Sequence, residues 1–513
     1  ANNIPTQTIQ QLLVQSNTSV IFEGQTGGSR TLTIAGPGSS TNISIANGST
    51  LSIGGTVQMF LTMTGNANQA ANIAGTLNLN NNGSGNNTLT VNGVASNVFT
   101  VASTGIINNN GGVINSPGAV GNLVFAAGGT YIHNMNGGSI PNSNVAPLAT
   151  WNAASNCNIT GITTTNPSTF YGNFGNINWN CAGQTSATGA FSGLTNIYGN
   201  VTVSAGTLFD NGNFIGASVT GSFSVANGAT YRTSRTFSPW IPGGIPAANV
   251  SLAPGSYLVF AGAISHPITA NPSGGTGSVT NYGILAIEGA QKQFSTNVSV
   301  QGIEIRTASP LCELSDGGYL ITGPGTGSGT FSIAPTAKFS MSNTNVNPMP
   351  IFQTYVFPPT STVYYLTPST AQNIYNVPSP GYGNLVVATP TTSGGMKSLI
   401  GTTYMQGTLT VNHFITTSGL DLNGHTLRSS AATPLTMATG TTFTGNAAGS
   451  TIHLDGTVPQ TLNIASTTIT GGVLANLVSS NTDATSGAML GAFNNAGTVW
   501  AVANVSINTG GLL

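Results

Sequence analysis

Carboxylate side chains, which most hydrolytic and metal-dependent chemistry requires, are scarce and scattered in this sequence. All nine are Glu23, Asp210, Glu288, Glu304, Glu313, Asp316, Asp421, Asp455 and Asp483. Solenoid enzymes that cleave polysaccharides need clustered carboxylates, often with calcium or a nearby basic residue. The closest grouping, Glu313 with Asp316, offers two oxygens to a calcium ion but is more typical of a solvated Asp-Gly turn. We therefore expect no catalytic or metal-binding residue.

Two further pairs place ionisable side chains two residues apart, so that on a strand they share one face. Glu304 and Arg306 are predicted to form a local ion pair. His453 and Asp455 are predicted to lie on the surface and to form ordinary hydrogen bonds.

A third grouping, "HFITTSGLDLNGHTL", contains His413, Asp421 and His425. Stacking of successive coils would be needed to bring two of them together as metal ligands, and the tight spacing of a metal motif is absent. Hydrogen-bonded histidines are the expected outcome. The sequence also lacks a Gly-rich phosphate loop before a helix and a Gly-x-Ser-x-Gly elbow, so no cofactor is expected.

The three cysteines leave two interpretations open. Cys157 and Cys181 are 24 residues apart, whereas Cys312 stands alone. A disulfide between the first two would suit an oxidising compartment. Equally, all three fit the role of small buried apolar groups.

Aromatic side chains raise the question of a sugar-stacking surface or of contacts between subunits. The candidates are Trp151, Trp179, Trp240, Trp500, Tyr364, Tyr365, Tyr375 and Tyr382. Burial inside the fold is expected for most of them.

Charge is the most unusual feature of the composition. Only 17 of 513 residues are Lys, Arg, Asp or Glu, 3% of the chain, and the net charge is -1. With 39% hydrophobic residues and a mean hydropathy of +0.15, the chain is expected to fold rather than to be disordered. Such neutrality favours association between copies, and the absence of a basic patch argues against nucleic acid. No apolar run reaches the ~20 residues of a membrane span. No charged-then-apolar leader precedes Ala1, so a mature, processed chain is expected.

Short alternating segments closed by Gly or Asn predict an all-β protein. Examples are "TLTIAG" (31–36), "TLSIGG" (50–55), "TLTVNG" (88–93) and "NVTVSAG" (200–206). Few two-residue hairpin turns, abundant Asn and Thr, and small Gly corners favour an elongated parallel β-solenoid, or β-helix, of roughly 20–25 residues per coil. Segments resembling a β-sandwich are the alternative.

The organisation predicted along the chain has four parts. They are an N-terminal docking segment (1–30), solenoid repeats (31–150), solenoid repeats with a Trp/Cys block (151–310) and C-terminal β repeats (311–513). In the docking segment, "TQTIQQLLVQS" has helical spacing but also fits strands, so a helix or a donated strand is expected. The predicted subunit-contact residues are Ile9, Leu12, Leu13, Val20, Ile21 and Phe22.

Several longer blocks resemble repeats of secreted, adhesin-like surface proteins of Bacteroidota that the type IX system exports. They are "GGTYIHNMNGGSIP" (128–141), "ATWNAASNCNITGITTTNPSTFYGNFGNINWNCAGQT" (149–185), "STVYYLTPSTAQNIYNVPSPGYGNLVV" (361–387) and "GLDLNGHTLRSS" (419–430). The resemblance implies a β-helical, extracellular or cell-surface, non-catalytic scaffold. The sequence departs from the family because no C-terminal sorting domain follows Leu513. We therefore expect that this domain is removed in maturation or that another export route is used.

These observations lead to a ranked set of functions. The first is a secreted structural protein, a self-assembling subunit of an extracellular filament or sheath, with itself as partner. The alternative is a cell-surface adhesin that binds glycans, and the third is a polysaccharide-degrading β-helix enzyme.

Overall fold

A computed structural model gives the fold of the chain over most of its length. The residues it describes are 3–38, 40–63, 67–81, 86–91, 96–116, 122–186, 191, 193–212, 221–236, 239–279, 281–367, 371–388, 395–412, 419–438, 441–464, 468–470, 473–483, 488–489 and 501–508.

The protein is an all-β, parallel β-solenoid of about 17 turns, as the alternation predicts. Neighbouring strands come from successive coils and run parallel, with equivalent positions in register. Because β-sandwiches are built from antiparallel sheets, this pairing favours the solenoid over the alternative. Coil length varies from 18 residues, between Asn281 and Ser299, to 31 residues, between Ser19 and Thr50. The spread is wider than predicted because the loops between strands differ in length.

The chain divides into two compact units, the first comprising residues 1–258 and 271–279, the second 259–270 and 280–513. In the first unit, sheet 1 contains Gln7–Ile9, Arg30–Ile34, Met59–Met63, Thr88–Val91 and Val113–Asn115. Sheet 2 contains Leu12–Val14, Thr41–Ile45, Ala70–Ile73, Val98–Val101, Leu123–Phe125 and Thr150–Trp151. Sheet 3 contains Ser19–Glu23, Thr50–Gly54, Thr76–Asn80, Ile106–Asn110, Thr130–His133, Asn156–Ile159, Asn176–Asn180, Val201–Ala205, Phe223–Val225 and Val250–Leu252. Smaller pairs are Gly172–Phe174 with Thr195–Ile197 and Thr207–Phe209 with Thr230–Thr233, and one 3-10 turn spans Ala247–Asn249. The division between the units falls after residue 258, inside a further strand, Tyr257–Phe260.

The second unit repeats the same design. Sheet 4 contains Asn281–Ile287, Val298–Ile305, Thr330–Ile333 and Thr354–Val356, with Ile321–Thr322 beside the second strand. Sheet 5 contains His266–Ile268, Lys292–Phe294, Glu313–Ser315, Lys338–Met341, Thr362–Tyr365, Asn384–Ala388, Leu409–Asn412, Leu435–Met437 and Asn463–Ile464. Sheet 6 contains Gln372–Ile374, Lys397–Leu399, Gly419–Asp421, Thr442–Thr444 and Thr468–Thr470. Sheet 7 contains Thr403–Met405, Thr426–Ser429, Thr451–Leu454, Val473–Ser479 and Ala501–Ile507, and Gln460–Thr461 pairs with Ala488–Met489.

The core consists of columns of inward side chains that stack from coil to coil. One column of sheet 3 runs through Leu51, Leu77, Ile107, Tyr131, Cys157, Ile177, Val201 and Phe223. Each of these side chains is at most 1% exposed. Burying a Leu, Ile or Val side chain contributes about 1.5–3 kcal/mol. Each coil is therefore stabilised mainly by its two neighbours.

Asparagine ladders occupy the outward positions of the same strands. Asn108 Nδ2 donates to Asn78 Oδ1 at 3.2 Å, and Asn110 Nδ2 donates to Asn80 Oδ1 at 2.9 Å. The second ladder continues, because Asn134 Nδ2 donates to Asn110 Oδ1 at 2.8 Å. An amide carries both donors and an acceptor, so identical residues can satisfy each other without charge. This explains why the sequence needs so few ionised side chains.

Four-residue turns lead into the strands of sheet 3. In residues 46–49, Ser49 N donates to Ala46 O at 2.9 Å, and in residues 152–155 Ser155 N donates to Asn152 O at the same distance. Gly48 has a φ of 78°, a left-handed conformation that glycine adopts without strain. In both turns the fourth residue is a serine that directly precedes a strand. This serine is the sequence signal of the turn.

Buried polar residues satisfy loop carbonyls inside the second unit. Three of them start a strand and donate to alternate carbonyls one coil earlier. Lys292 Nζ donates to Gly262 O at 3.1 Å and to Ile264 O at 2.9 Å. Gln372 Nε2 donates to Asn343 O at 2.8 Å and to Asn345 O at 3.1 Å. Gln460 Nε2 donates to Ser429 O at 2.8 Å and to Ala431 O at 2.9 Å. Burial lowers the pKa of Lys292 to about 8. Lysine and glutamine thus have the same structural role here.

Lys292→Met is expected to destabilise the second unit by about 1–3 kcal/mol, because it leaves buried carbonyls without a donor. Lys292→Gln should cost less, since Gln372 and Gln460 make the same pair of contacts. Urea unfolding of the full chain, followed by hydrogen exchange of residues 292–294, measures both. Equal losses for the two variants would contradict the donor role.

A buried network in the first unit includes His133. Asn109 Nδ2 donates to Tyr131 OH at 3.1 Å, and Tyr131 OH lies 3.2 Å from His133 Nδ1. His133 Nε2 is 2.7 Å from Gly137 O. Because a carbonyl only accepts, Nε2 carries the proton and Nδ1 accepts from the tyrosine. Burial lowers the pKa of His133 to about 4, partly offset by the Gly137 hydrogen bond, so the imidazole is neutral at pH 7.

Stability of this region is expected to fall as the pH falls from about 6.5 towards 4. The unfolded chain takes up a proton on His133 in that window whereas the folded chain does not. The contribution is on the order of 3 kcal/mol. Hydrogen exchange of Thr130–His133 at several pH values, corrected for intrinsic rates, measures it. His133→Gln should flatten the dependence, and an unchanged pH profile in this variant would refute the assignment.

Candidate functional site

The first coil of the solenoid corresponds to most of the segment predicted to dock. Its strands Gln7–Ile9, Leu12–Val14 and Ser19–Glu23 pair with the next coil, so the β alternative describes this segment and the helix does not. Leu12 and Val14 lie over Ile43 and Ile45 in register. A helix would break this stack. The segment is therefore part of the solenoid core.

The predicted contact residues divide between the core and the surface. Leu12 and Phe22 are buried, and Ile9 and Val20 are half-buried. Leu13 and Ile21 are 48% and 49% exposed. This division follows from strand alternation. Leu12 and Phe22 pack inside the coil, whereas Leu13 and Ile21 face outward.

The outer edge of these three strands is named the first-coil edge. In the part of the chain that is described, each strand pairs on one side only. Between residues 3 and 23, Glu23 is the single charged residue. β-Proteins that stay monomeric protect such edges with Lys, Pro or bulges. The first-coil edge has little of this protection, with Pro5 as its only proline.

A second edge, named the late edge, is the strand Ala501–Ile507. It pairs with Val473–Ser479 on one side, and no other partner occurs among the described residues. Val505 and Ile507 are 52% and 56% exposed. The strand contains no charged residue. A long, exposed, apolar edge of this kind is prone to pair with another chain.

Asp316 is a structural residue and not a calcium ligand. Its carboxylate accepts hydrogen bonds from Gly318 N, Ser342 N and Oγ, and Asn343 N and Nδ2, at 2.6–3.1 Å. Five protein donors occupy the lone pairs that a cation would need. The carboxylate is buried, so the expected solvated turn is wrong. Glu313 instead bonds Ser340 Oγ on the outer face of sheet 5.

The predicted ion pair between Glu304 and Arg306 is confirmed. Arg306 Nε donates to Glu304 Oε2 at 2.8 Å, and Arg306 Nη1 donates to Glu288 Oε1 at 3.2 Å. Burial lowers the pKa of Arg306, but hydrogen bonds and charge interactions with the two glutamates give a net increase. The guanidinium is thus held between two carboxylates. Exposed pairs of this type contribute little to stability.

No metal centre forms among the described residues, where no group of three His, Cys, Asp or Glu comes together. Asp421 Oδ1 accepts from Asn423 N at 2.8 Å, which is a local turn contact. Asp210 is buried and accepts from Tyr231 OH and Thr233 Oγ1 at 3.0 and 2.8 Å. Burial raises the pKa of Asp210. His413 lies outside the described residues.

Cys157, Cys181 and Cys312 are all buried free thiols, which corrects the disulfide alternative. In the register of sheet 3, Cys157 lies beside Ile177, four residues before Cys181. Four residues of strand separate the two by about 13 Å along the strand direction, beyond the ~7 Å that a disulfide spans between Cα atoms. Cys181 Sγ instead donates to Ile159 O at 3.4 Å.

Most of the aromatic candidates are core residues, as expected. Those buried are Trp151, Trp179, Trp240, Tyr365 and Tyr382, those half-buried are Tyr364 and Tyr375, and Trp500 lies outside the described residues. Trp151 stacks on Phe125, with 4.1 Å between ring centroids, and its Nε1 donates to Pro141 O at 3.1 Å. The buried rings thus serve packing.

Comparison of the chain with protein families, curated proteins and solved structures gives no match. The described residues contain no helix with the length and hydrophobicity needed to cross a membrane.

Proposed function

We propose that this chain is a secreted structural protein, the self-assembling subunit of an extracellular filament or sheath. The observation that carries the proposal is the pair of strand edges with at most one charged residue each, the first-coil edge and the late edge. Both present main-chain groups beside exposed apolar side chains, Leu13 and Ile21 at one and Val505 and Ile507 at the other.

Parallel pairing already joins each coil to the next, and the same contact joins one molecule to another. A net hydrogen bond contributes about 0.5–1.5 kcal/mol, so three short strands provide several kcal/mol before side chains are counted. Contact between two different edges is heterologous. Unless its rotation closes a ring, such a contact gives an open filament.

Neutrality supports the same proposal. With a net charge of -1, copies approach without long-range repulsion. The Asn ladders and apolar columns need no counter-ions and no cofactor. A non-enzymatic role fits the carboxylates, because Asp316 is saturated by protein donors and Glu304 and Glu288 are paired with Arg306.

The proposal predicts that the full chain forms filaments at neutral pH above a critical concentration. Leu13→Lys combined with Ile21→Lys should raise that concentration at least tenfold, because it places two charges on the first-coil edge. Electron microscopy and sedimentation velocity measure the effect.

A matched control is Leu311→Lys, since Leu311 is 76% exposed and lies outside both edges. This variant should assemble like the wild type, and circular dichroism should show β-structure in all three proteins. Wild-type chains that stay monomeric at every concentration would refute the proposal. Equal assembly by the edge variant would exclude the first-coil edge.

A further inference from the structure

A concentration of polar and charged side chains lies on the outer face of sheet 7. Tyr404, Arg428 and His453 occupy equivalent positions of three successive strands, in register. Asp455 follows the third strand. Together with Gln406 and Ser430, these residues are named the sheet 7 cluster. In a chain with 17 charged residues, an arginine, an aspartate and a histidine on one face is an exception.

Arg428 is the centre of the cluster. Its Nε donates to Asp455 Oδ2 at 2.5 Å, and its guanidinium carbon lies 5.8 Å from the ring centroid of Tyr404. The hydrogen bond to Asp455 raises the pKa of Arg428. The side chain of Arg428 is nevertheless 41% exposed. The guanidinium is thus fixed in direction while part of it faces solvent.

Asp455 has unused capacity to accept hydrogen bonds. Its side chain is 20% exposed, and its Oδ1 is shielded from solvent without a hydrogen-bond partner in the described structure. A buried unmet acceptor costs free energy. A ligand hydroxyl that reached it after a small displacement of Arg428 would remove that cost.

Five members of the cluster border a cleft, namely Tyr404, Gln406, Arg428, Ser430 and Asp455. Its volume is about 210 Å³, and Ser379, Pro380 and Met405 complete its wall. Gln406 is fixed there, because its Nε2 donates to Phe357 O at 2.7 Å. Pockets that enclose a free small molecule are larger, about 300–1,000 Å³. The size favours one unit of a longer chain that lies across the sheet.

The electrostatics favour an uncharged ligand. Asp455 compensates the charge of Arg428. Burial, with a smaller contribution from Arg428, lowers the pKa of His453, and its Nε2 lies 2.8 Å from Ser480 Oγ. The histidine is therefore neutral at pH 7, and the whole cluster has no net charge. An exposed ion pair contributes little to stability. Uncharged Asn and Thr residues occupy outward positions on other strands, so stability alone does not account for this pair.

We propose that the sheet 7 cluster binds one sugar unit of a neutral polysaccharide. Adjacent hydroxyl groups of the ring hydrogen-bond to Arg428 and Asp455, and its apolar face packs on Tyr404 and Pro380. The inference is independent of self-assembly and adds a binding site to the proposed structural role.

Isothermal titration calorimetry of the full chain with neutral oligosaccharides, namely glucans, mannans and xylans, tests the site. At least one of them should bind. Arg428→Ala and Tyr404→Ala should each weaken binding at least tenfold, and Tyr404→Phe should retain it because the ring remains.

The control is Arg306→Ala, which removes another exposed, ion-paired arginine far from the cluster in sequence. It should bind like the wild type, and thermal melts should show that all variants are folded. The proposal is overturned if no neutral oligosaccharide binds at 10 mM, if Arg428→Ala binds as tightly as the wild type, if only oligouronides bind, or if the bound oligosaccharide is cleaved.

Discussion

The parallel hydrogen-bond ladder between successive coils is the interaction on which this structure depends. It places each residue directly over its equivalent one coil earlier, as in the stack of Leu77 on Leu51. Like side chains therefore meet like side chains. Apolar residues and amides gain from such stacking, whereas equal charges would repel. The near absence of charged residues is a consequence of this constraint.

The ladder also explains why the few interior charges and the edges stand out. Lys292 is tolerated inside because four loop carbonyls surround its ammonium group. Among the described residues, the hydrogen-bond ladder ends at the first-coil edge. Glu23 is the one charged side chain that could hinder its extension there. The proposed association between molecules would use the same interaction that holds the coils together.

The two exposed arginine sites show how context assigns a role. Arg306 bonds two carboxylates, those of Glu288 and Glu304. Arg428 is held by one carboxylate beside a tyrosine ring and a cleft, and part of its guanidinium faces solvent. Both arginines form ion pairs, and the pair of Arg428 with Asp455 adjoins a cleft and a carboxylate oxygen without a hydrogen-bond partner in the described structure.

The sequence by itself determined the fold class, the inward direction of residues such as Leu77 and Leu79, and the Glu304–Arg306 pair, because strand alternation is local. It left residues 6–16 ambiguous, since two short strands joined by a turn produce the same spacing of Ile9, Leu12 and Leu13 as a helix.

Only the tertiary structure decided that Leu12 and Val14 stack on Ile43 and Ile45. It also decided that Cys157 and Cys181 are out of register and that Tyr404, Arg428 and His453 lie side by side. The reason is physical. Coil length varies from 18 to 31 residues with the loops. The register between distant residues is therefore set by packing of whole coils, which no local pattern encodes.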